Sequence, residues 1–336
     1  MKHKHKIDES GMVSLIVTMV LMIVVTLIVI GFSQIARREQ RQALDRQLST
    51  QAYYAAESGI NDAMSAIKNG YTADKNNCNE DTTFTDVKAD LGNGISYSCL
   101  LIDQSPDTLE YSDVDTAKSA YARFSSTTTD IKTLEIWWQG TNDSTTFADV
   151  YYPNFPSTGS WPAGGTPVIR ATVTAVTSYN RNALDGNTYT AFLYPNTSAS
   201  STLAAGGPAT SGAIGQGGCS SGSTPKYCHV NISLSAAVPE VFLQLKSIYG
   251  SSKVTVIARD SSSSQLELKG AQTLVDATGK ATDVLRRIQV RVPSTSSYDY
   301  PPSAVYSVQG VCKRLNVIPG VSGTSVAAGS PAICNP

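Results

Sequence analysis

Histidine is scarce in this chain of 336 residues: there are three, and His3 and His5 fall at the very start, leaving His229 alone in the remainder. A Ser-His-Asp arrangement would have to use His229, and no G-x-S-x-G elbow accompanies it. No Gly-rich loop runs into Lys-Ser or Lys-Thr, so nucleotide phosphates have no cradle. No two cysteines stand in C-x-x-C spacing, which excludes zinc ribbons and thioredoxin-like redox motifs. Charge is also short, at 16 % of residues against about 25 % in ordinary globular chains. Basic and acidic side chains number 26 and 27, and the net charge of −1 excludes a strongly basic nucleic-acid binder as a whole-chain property. Ser, Thr, Gly, Asn and Tyr fill the gap, a composition of exported β-rich proteins more than of cytosolic enzymes. The expectation is a protein with no enzyme activity, no cofactor and no resident metal.

What is present is concentrated at the N-terminus. From Met12 to Phe32 run twenty-one residues without a charge, MVSLIVTMVLMIVVTLIVIGF. As a helix they span roughly 30 Å, the hydrocarbon thickness of a bilayer. A polar leader, residues 1–11, precedes them, and RREQRQALDR follows. No A-x-A site follows the run, so removal as an ordinary signal peptide is not expected. No proline occurs before Pro106, and Gly70 is the first C-cap signal, so one helix is expected over 12–70, with 12–32 as its membrane-crossing part. Leu44, Leu48, Ala52, Ala55, Ala56, Gly59, Ile60, Ala63 and Ile67 then recur at three- and four-residue steps and predict one apolar stripe facing a sheet.

Gly11 directly before MVSLIV, the uninterrupted apolar helix and the stretch DRQLSTQAYYAAESGI, with its Ala55-Ala56-Glu57, are the features on which residues 11–67 resemble type IV pilin-like proteins, most closely the PilX-type minor pilins. The resemblance implies that a prepilin peptidase cuts after Gly11 and that the new N-terminus, Met12, is methylated. It also implies insertion into the cytoplasmic membrane, transfer by a pilus assembly platform, and packing among other pilin subunits through positions such as Ile16, Leu21, Val25 and Gly31. Glycine before the cut suits a protease that must approach extended backbone. Main pilins carry glutamate at the fifth mature position, where this chain has Ile16. Without that carboxylate the subunit cannot neutralise the terminal amine of a subunit ahead of it, which favours a place at or near the fibre tip.

Lysines 2, 4 and 6 precede the apolar run and arginines 37, 38, 41 and 46 follow it, so counting positive charges does not decide topology. The cysteines do. Cys78, Cys99, Cys219, Cys228, Cys312 and Cys334 all lie C-terminal to the helix, as expected of disulfides in an oxidising compartment outside the cell. Fifteen pairings are formally possible, and proximity favours Cys78–Cys99, Cys219–Cys228 and Cys312–Cys334.

Beyond the helix the fold class expected is α+β, the long helix being followed by an enlarged antiparallel β-rich head. Strand signals cover 94–102, 121–125, 133–138, 167–176, 188–193, 229–234, 253–258, 265–268 and 287–292. Pro162-Ala163-Gly164-Gly165 and Ala277-Thr278-Gly279-Lys280 read as turns. The charge-free segment 196–224, with eleven Ser or Thr and seven Gly, reads as a loop dividing a helix-packed sheet (71–195) from a second β-rich part (225–336).

Two surface features remain. Asp103, Asp107, Glu110, Asp113 and Asp115 offer oxygen ligands for calcium, but the EF-hand spacing is missing and a solvated loop is the plainer reading. Trp137, Trp138, Trp161, Tyr298 and Tyr300 lie in aromatic-rich runs that, where exposed, suit adhesion to a host-surface or DNA ligand. Trp137 and Trp138 are adjacent in a predicted strand, so one faces the core and the other does not. The leading function expected is a minor subunit of a type IV pilus-like filament, favoured at or near its tip. A membrane-anchored adhesin or receptor, and a pseudopilin of a type II-like secretion system, are the alternatives.

Overall fold

The computed structural model describes residues 9–79, 83–84, 94–141, 160–161, 165–196, 202–205, 213–219 and 227–293. Cys312, Cys334, Tyr298, Tyr300 and the expected turn at 162–164 lie outside these residues. The first element is the helix α1 (Glu9–Lys68), which starts three residues before the expected Met12. It ends where glycine permits it to end. Gly70 takes a positive φ of 94°, its N–H donates to the Ile67 carbonyl, and the Tyr71 N–H reaches back to the Ala66 carbonyl. This double closure satisfies the last orphan carbonyls, and only glycine adopts the required backbone without strain.

Strands follow as β1 (Ile95–Asp103), β2 (Leu109–Val114), β3 (Ala120–Ser126), β4 (Ile131–Gly140) and β5 (Val168–Val176). A short helix, α2 (Arg181–Gly186), is capped by the Asn180 side chain and leads into β6 (Thr188–Asn196), β7 (Thr202–Ala205), β8 (Ala213–Cys219) and β9 (Cys228–Val238). The last described strands are β10 (Glu240–Ile248), β11 (Ser252–Arg259), β12 (Leu268–Lys269), β13 (Gln272–Ala281) and β14 (Val284–Pro293). One long helix and a β-rich head are thus the architecture.

The chain forms two compact units that interleave in sequence. The first comprises Met1–Leu109, Phe124–Thr129 and Ser264–Thr295; the second includes Glu110–Arg123 and Asp130–Ser263. The expected division at 196–224 is therefore replaced by one in which β13 and β14, late in sequence, return to the N-terminal helix.

In the first unit α1 lies on a three-stranded antiparallel sheet of order β1-β13-β14. The buried stripe is Ala52, Ala55, Ala56, Gly59, Ile60, Ala63 and Ile67, as the periodicity predicts, facing Tyr97, Leu100, Ile102, Val275 and Ala277. Leu48 is only half-buried, and Leu44, expected in the stripe, is exposed because the stripe's contact with the sheet has ended before it. Ala277-Thr278-Gly279-Lys280, expected as a turn, is the interior of β13. The glycine is there for the helix: a Cβ on Gly279 would collide with the Ala52 carbonyl oxygen and the Ala56 nitrogen. Gly59 sits nearly as tightly, a Cβ there falling 3.2 Å from the Ala277 Cβ and the Tyr97 ring. Cys78–Cys99 ties the segment after the helix to β1, beside the backbone bridge between Lys75 and Ile102. The strand expected over 265–268 shrinks to β12, paired with the end of β3.

The second unit is a sheet of order β3-β10-β5-β6-β8-β9-β4-β11-β2, with β7 alongside β9. β5 with β10, β4 with β11, β4 with β9, β5 with β6 and β8 with β9 pair antiparallel, whereas β6 with β8 and β7 with β9 are parallel. Inward residues include Ile136, Trp138, Ile169, Val173, Leu193, Val230, Leu243 and Val256. The segment expected as a loop contributes β7 and β8. Its glycines make the strand possible, because Trp138 lies over β8 and any Cβ on Gly217 would overlap the indole ring. Gly215 makes room in the same way for Leu193 and Leu203. Cys219 and Cys228 face each other across β8 and β9 and are joined as a disulfide. Two of the three favoured pairings are therefore present, and the third lies outside the described residues.

Replacing Gly279 by Val should loosen α1 from β13 and lower stability by about 2 kcal/mol or more, the range of an overpacked core. Gly31→Ala, where no atom lies within 4 Å of the added Cβ, should leave the docking of α1 on the sheet unchanged. Hydrogen exchange of amides 52–67 in the detergent-solubilised full chain reads both; equal protection in the two variants would refute the close-approach account.

Candidate functional site

The membrane-proximal half of α1 has no protein around it. Large apolar residues from Leu15 to Phe32 are exposed, with Ile16, Leu21 and Val25 at 54, 58 and 49 %. Two of the three hydroxyls that interrupt the run are satisfied within the helix: Thr18 donates to the Leu15 carbonyl at 2.9 Å and Thr26 to the Met22 carbonyl at 2.7 Å. Such back-bonding removes the demand of both threonines for water, which suits the helix to an apolar phase. The helix is long and apolar enough to cross a membrane. Gly31 leaves a shallow place on its surface with nothing near it. Gly11 and Met12 fall within α1, and their side chains lie outside the described residues.

The same helix therefore carries two surfaces: apolar all round up to Phe32, and a one-sided small-residue stripe at 52–67 that holds the head. Residues 10–61 match the family model of the PilX N-terminal domain. The match takes in the uncovered apolar half and also Ala52, Ala55, Ala56 and Gly59, so the PilX-type segment includes most of the docking stripe. No curated protein and no solved structure matches this chain. The likeness thus rests on the helix.

The aromatic candidates separate on the head. Trp138 is fully buried and donates its Nε1–H to the Pro167 carbonyl at 2.9 Å, which makes it a core residue and removes it as a recognition group. Trp161 is buried too, stacked on Tyr249 with ring centroids 4.1 Å apart. Trp137, directly beside Trp138 but on the other face of β4, is half-buried and stacks on His229 of β9 at 4.4 Å. His229 is thus a strand residue beside the Cys219–Cys228 disulfide, as its position in the sequence suggested. Next along β4, Glu135 accepts from Arg259 through both carboxylate oxygens, at 2.8 and 3.2 Å. Burial alone would raise the Glu135 carboxyl; the Arg259 guanidinium overrides this, with help from the Trp137 N–H and His229, and holds it below the ordinary carboxylate range.

The acidic run is not one loop. Asp103 ends β1, Glu110 and Asp113 are exposed on β2, and Asp107 lies in the turn between the two strands. Burial raises the Asp103 carboxyl, with Asp74, Glu267 and Asp107 adding to the effect against the Ser105 N–H. Among the described residues no group of His, Cys, Asp or Glu is arranged to hold a metal ion.

A polar cluster not read from the sequence lies on the outer face of the second unit. Arg123 of β3 pairs with Glu240 of β10 and donates to the Tyr179 hydroxyl at 2.7 Å, its guanidinium lying 5.5 Å from the Phe242 ring. Beside it a cleft of about 340 Å³ is lined by Tyr121, Thr172, Thr174, Leu184, Phe242 and Gln244, none of them charged. The strand that carries Glu240 and Phe242, β10, is buried at every second residue, but its sequence EVFLQLKSI blurs that alternation by placing Phe242 between Val241 and Leu243.

Glu135→Gln should cost about 1–2 kcal/mol near neutral pH, the worth of a charge-assisted hydrogen-bonded pair that is partly buried. Because the folded carboxyl titrates below its unfolded value, its contribution is complete above the unfolded pKa and disappears as pH falls through the folded one. Denaturant melts of wild type and variant should therefore differ at pH 7 and converge in acid. A gap that persists at low pH would contradict this assignment.

Proposed function

We propose that this chain is a minor subunit of a type IV pilus-like filament, placed at or near the tip. The observation that carries the reading is the wholly uncovered apolar half of α1, set in a segment that matches the PilX N-terminal model. In the precursor, α1 anchors the chain in the cytoplasmic membrane with the head outside. Prepilin peptidase cuts after Gly11, Met12 is methylated, and the assembly platform moves the helix from lipid into a bundle of other pilin subunits. Ile16 supports the tip position, because the subunit brings no carboxylate for a neighbour's terminal amine. The head's part is structural or adhesive, with no enzyme activity. Burial of Trp138 and Trp161 directs any search for a host-surface or DNA ligand toward other residues.

Mass spectrometry of the native protein should find a chain beginning at N-methylated Met12. A retained leader would overturn the filament reading in favour of an anchored surface receptor. Leu21→Asp places a charge that costs about 2.5–3.5 kcal/mol in the middle of an apolar helix, and it should abolish recovery of the subunit in sheared filaments. Normal incorporation of that variant would count against assembly through α1. Recovery of the wild-type chain in long extracellular filaments separates a pilus from a secretion pseudopilus.

A further inference from the structure

Immediately beyond the apolar run, α1 carries Arg37, Arg38 and Arg41, all exposed. At 100° per residue these three fall within an arc of about 100°, on one side of the helix. Continuing that count, it is the side that later meets the sheet through Ala52, Ala56 and Ala63. Glu39 falls on the opposite side, and none of the three arginines has a hydrogen-bond or ion-pair partner among the described residues. Three arginines of the head are treated differently: Arg123, Arg259 and Arg287 each hold a carboxylate. Asp45, four residues beyond Arg41, is the one acid on that side of this stretch and makes no ion pair with the arginines, so three guanidinium groups face one carboxylate and the positive excess calls for an anionic partner.

Their height identifies that partner. With Phe32 at the edge of the hydrocarbon, Arg37 and Arg38 stand about 8–9 Å above it and Arg41 about 14 Å. The headgroup layer is roughly 5–7 Å deep on each side, and arginine side chains extend along the helix to reach it. Planar guanidinium groups bind phosphate through two parallel hydrogen bonds. We propose that Arg37, Arg38 and Arg41 form a one-sided binding face for the phosphates of anionic lipids, gathering such lipids on the head side of the anchored helix. The proposal rests on the membrane-anchored reading above and adds a lipid class and a set of residues to it. A cation close to an anionic surface gains about fivefold in affinity, so the three together bias the neighbouring lipid strongly.

The test uses the full chain reconstituted into nanodiscs that hold phosphatidylcholine and phosphatidylglycerol in known ratio. Lipids that remain on the protein after controlled release are counted by native mass spectrometry. Wild type should keep phosphatidylglycerol at several times its bulk share, and Arg37→Gln/Arg38→Gln/Arg41→Gln should return the ratio to bulk. Glu39→Gln, on the opposite side, should leave the enrichment in place. No enrichment in wild type, or full enrichment in the triple variant, overturns the proposal. Flotation with phosphatidylcholine vesicles separates the two readings: a chain that fails to float refutes membrane anchoring itself, whereas one that floats without lipid preference refutes only the arginine face. If the triple variant loses filament assembly while keeping its lipid enrichment, the arginines serve a subunit contact instead.

Discussion

At Gly279 the backbone of a strand touches the backbone of a helix, and the arrangement of the first unit depends on that approach. Side chains usually hold a helix off the backbone of the sheet it covers, and closing that gap requires that both surfaces lack bulk. On α1 the missing bulk is at Ala52, Ala56, Gly59 and Ala63; on the sheet it is at Ala277 and Gly279. Small residues bury little area themselves, about 0.8 kcal/mol for each methylene-sized group. What they permit is the closure of larger residues around them, Ile60 and Ile67 on the helix against Tyr97, Leu100 and Val275 on the sheet. The Ala-Ala-Glu-Ser-Gly stretch thereby gains a physical meaning. Its alanines and glycine face inward, while Glu57 points to solvent and carries no packing.

The helix and its docking stripe were legible from the sequence because both are local. An apolar run of bilayer length, a 3.6-residue period and a terminating glycine are all written within a few turns of their effect. Most strands were legible for the same reason, since alternation needs only neighbours. The failures share one cause. Gly279 looked like a turn, and Gly215 and Gly217 looked like a linker, because glycine's usual signal is local freedom. In each case its use is tertiary: the missing Cβ is where the Ala52 carbonyl, the Trp138 ring or a leucine pair must pass. Nothing within ten residues of Gly217 announces Trp138. The division of the head was misplaced likewise, because the partner of α1 comes more than 200 residues later as β13 and β14.

The aromatics show how far composition carries an argument about sites. Trp137 and Trp138 are adjacent, and strand geometry alone requires them to face opposite ways. Which one turns inward depends on where the sheet's core lies, and that is fixed by Pro167, just before β5, and by Gly217 of β8. The polar cluster of Arg123, Glu240 and Tyr179 draws on three separate segments. No spacing rule assembles it from sequence.

The uncovered helix raises an energetic question for the proposed assembly. Hydrophobic burial does not distinguish a bilayer from a bundle of apolar helices, since lipid tails are as apolar as leucine. Moving the Met12–Phe32 segment between them is therefore close to neutral in that respect, which is what permits one helix to serve as both anchor and filament core. The direction must come from terms that differ between the two environments. Close helix packing at small residues such as Gly31 exists only in the bundle. Contacts between the arginine face and lipid phosphates, on the reading advanced above, exist only in the membrane. Those contacts hold the subunit in place before assembly and must be broken when it leaves. The balance between anchored and assembled states would then be set by the few polar residues just above the apolar run, and the long hydrophobic stretch would be common to both.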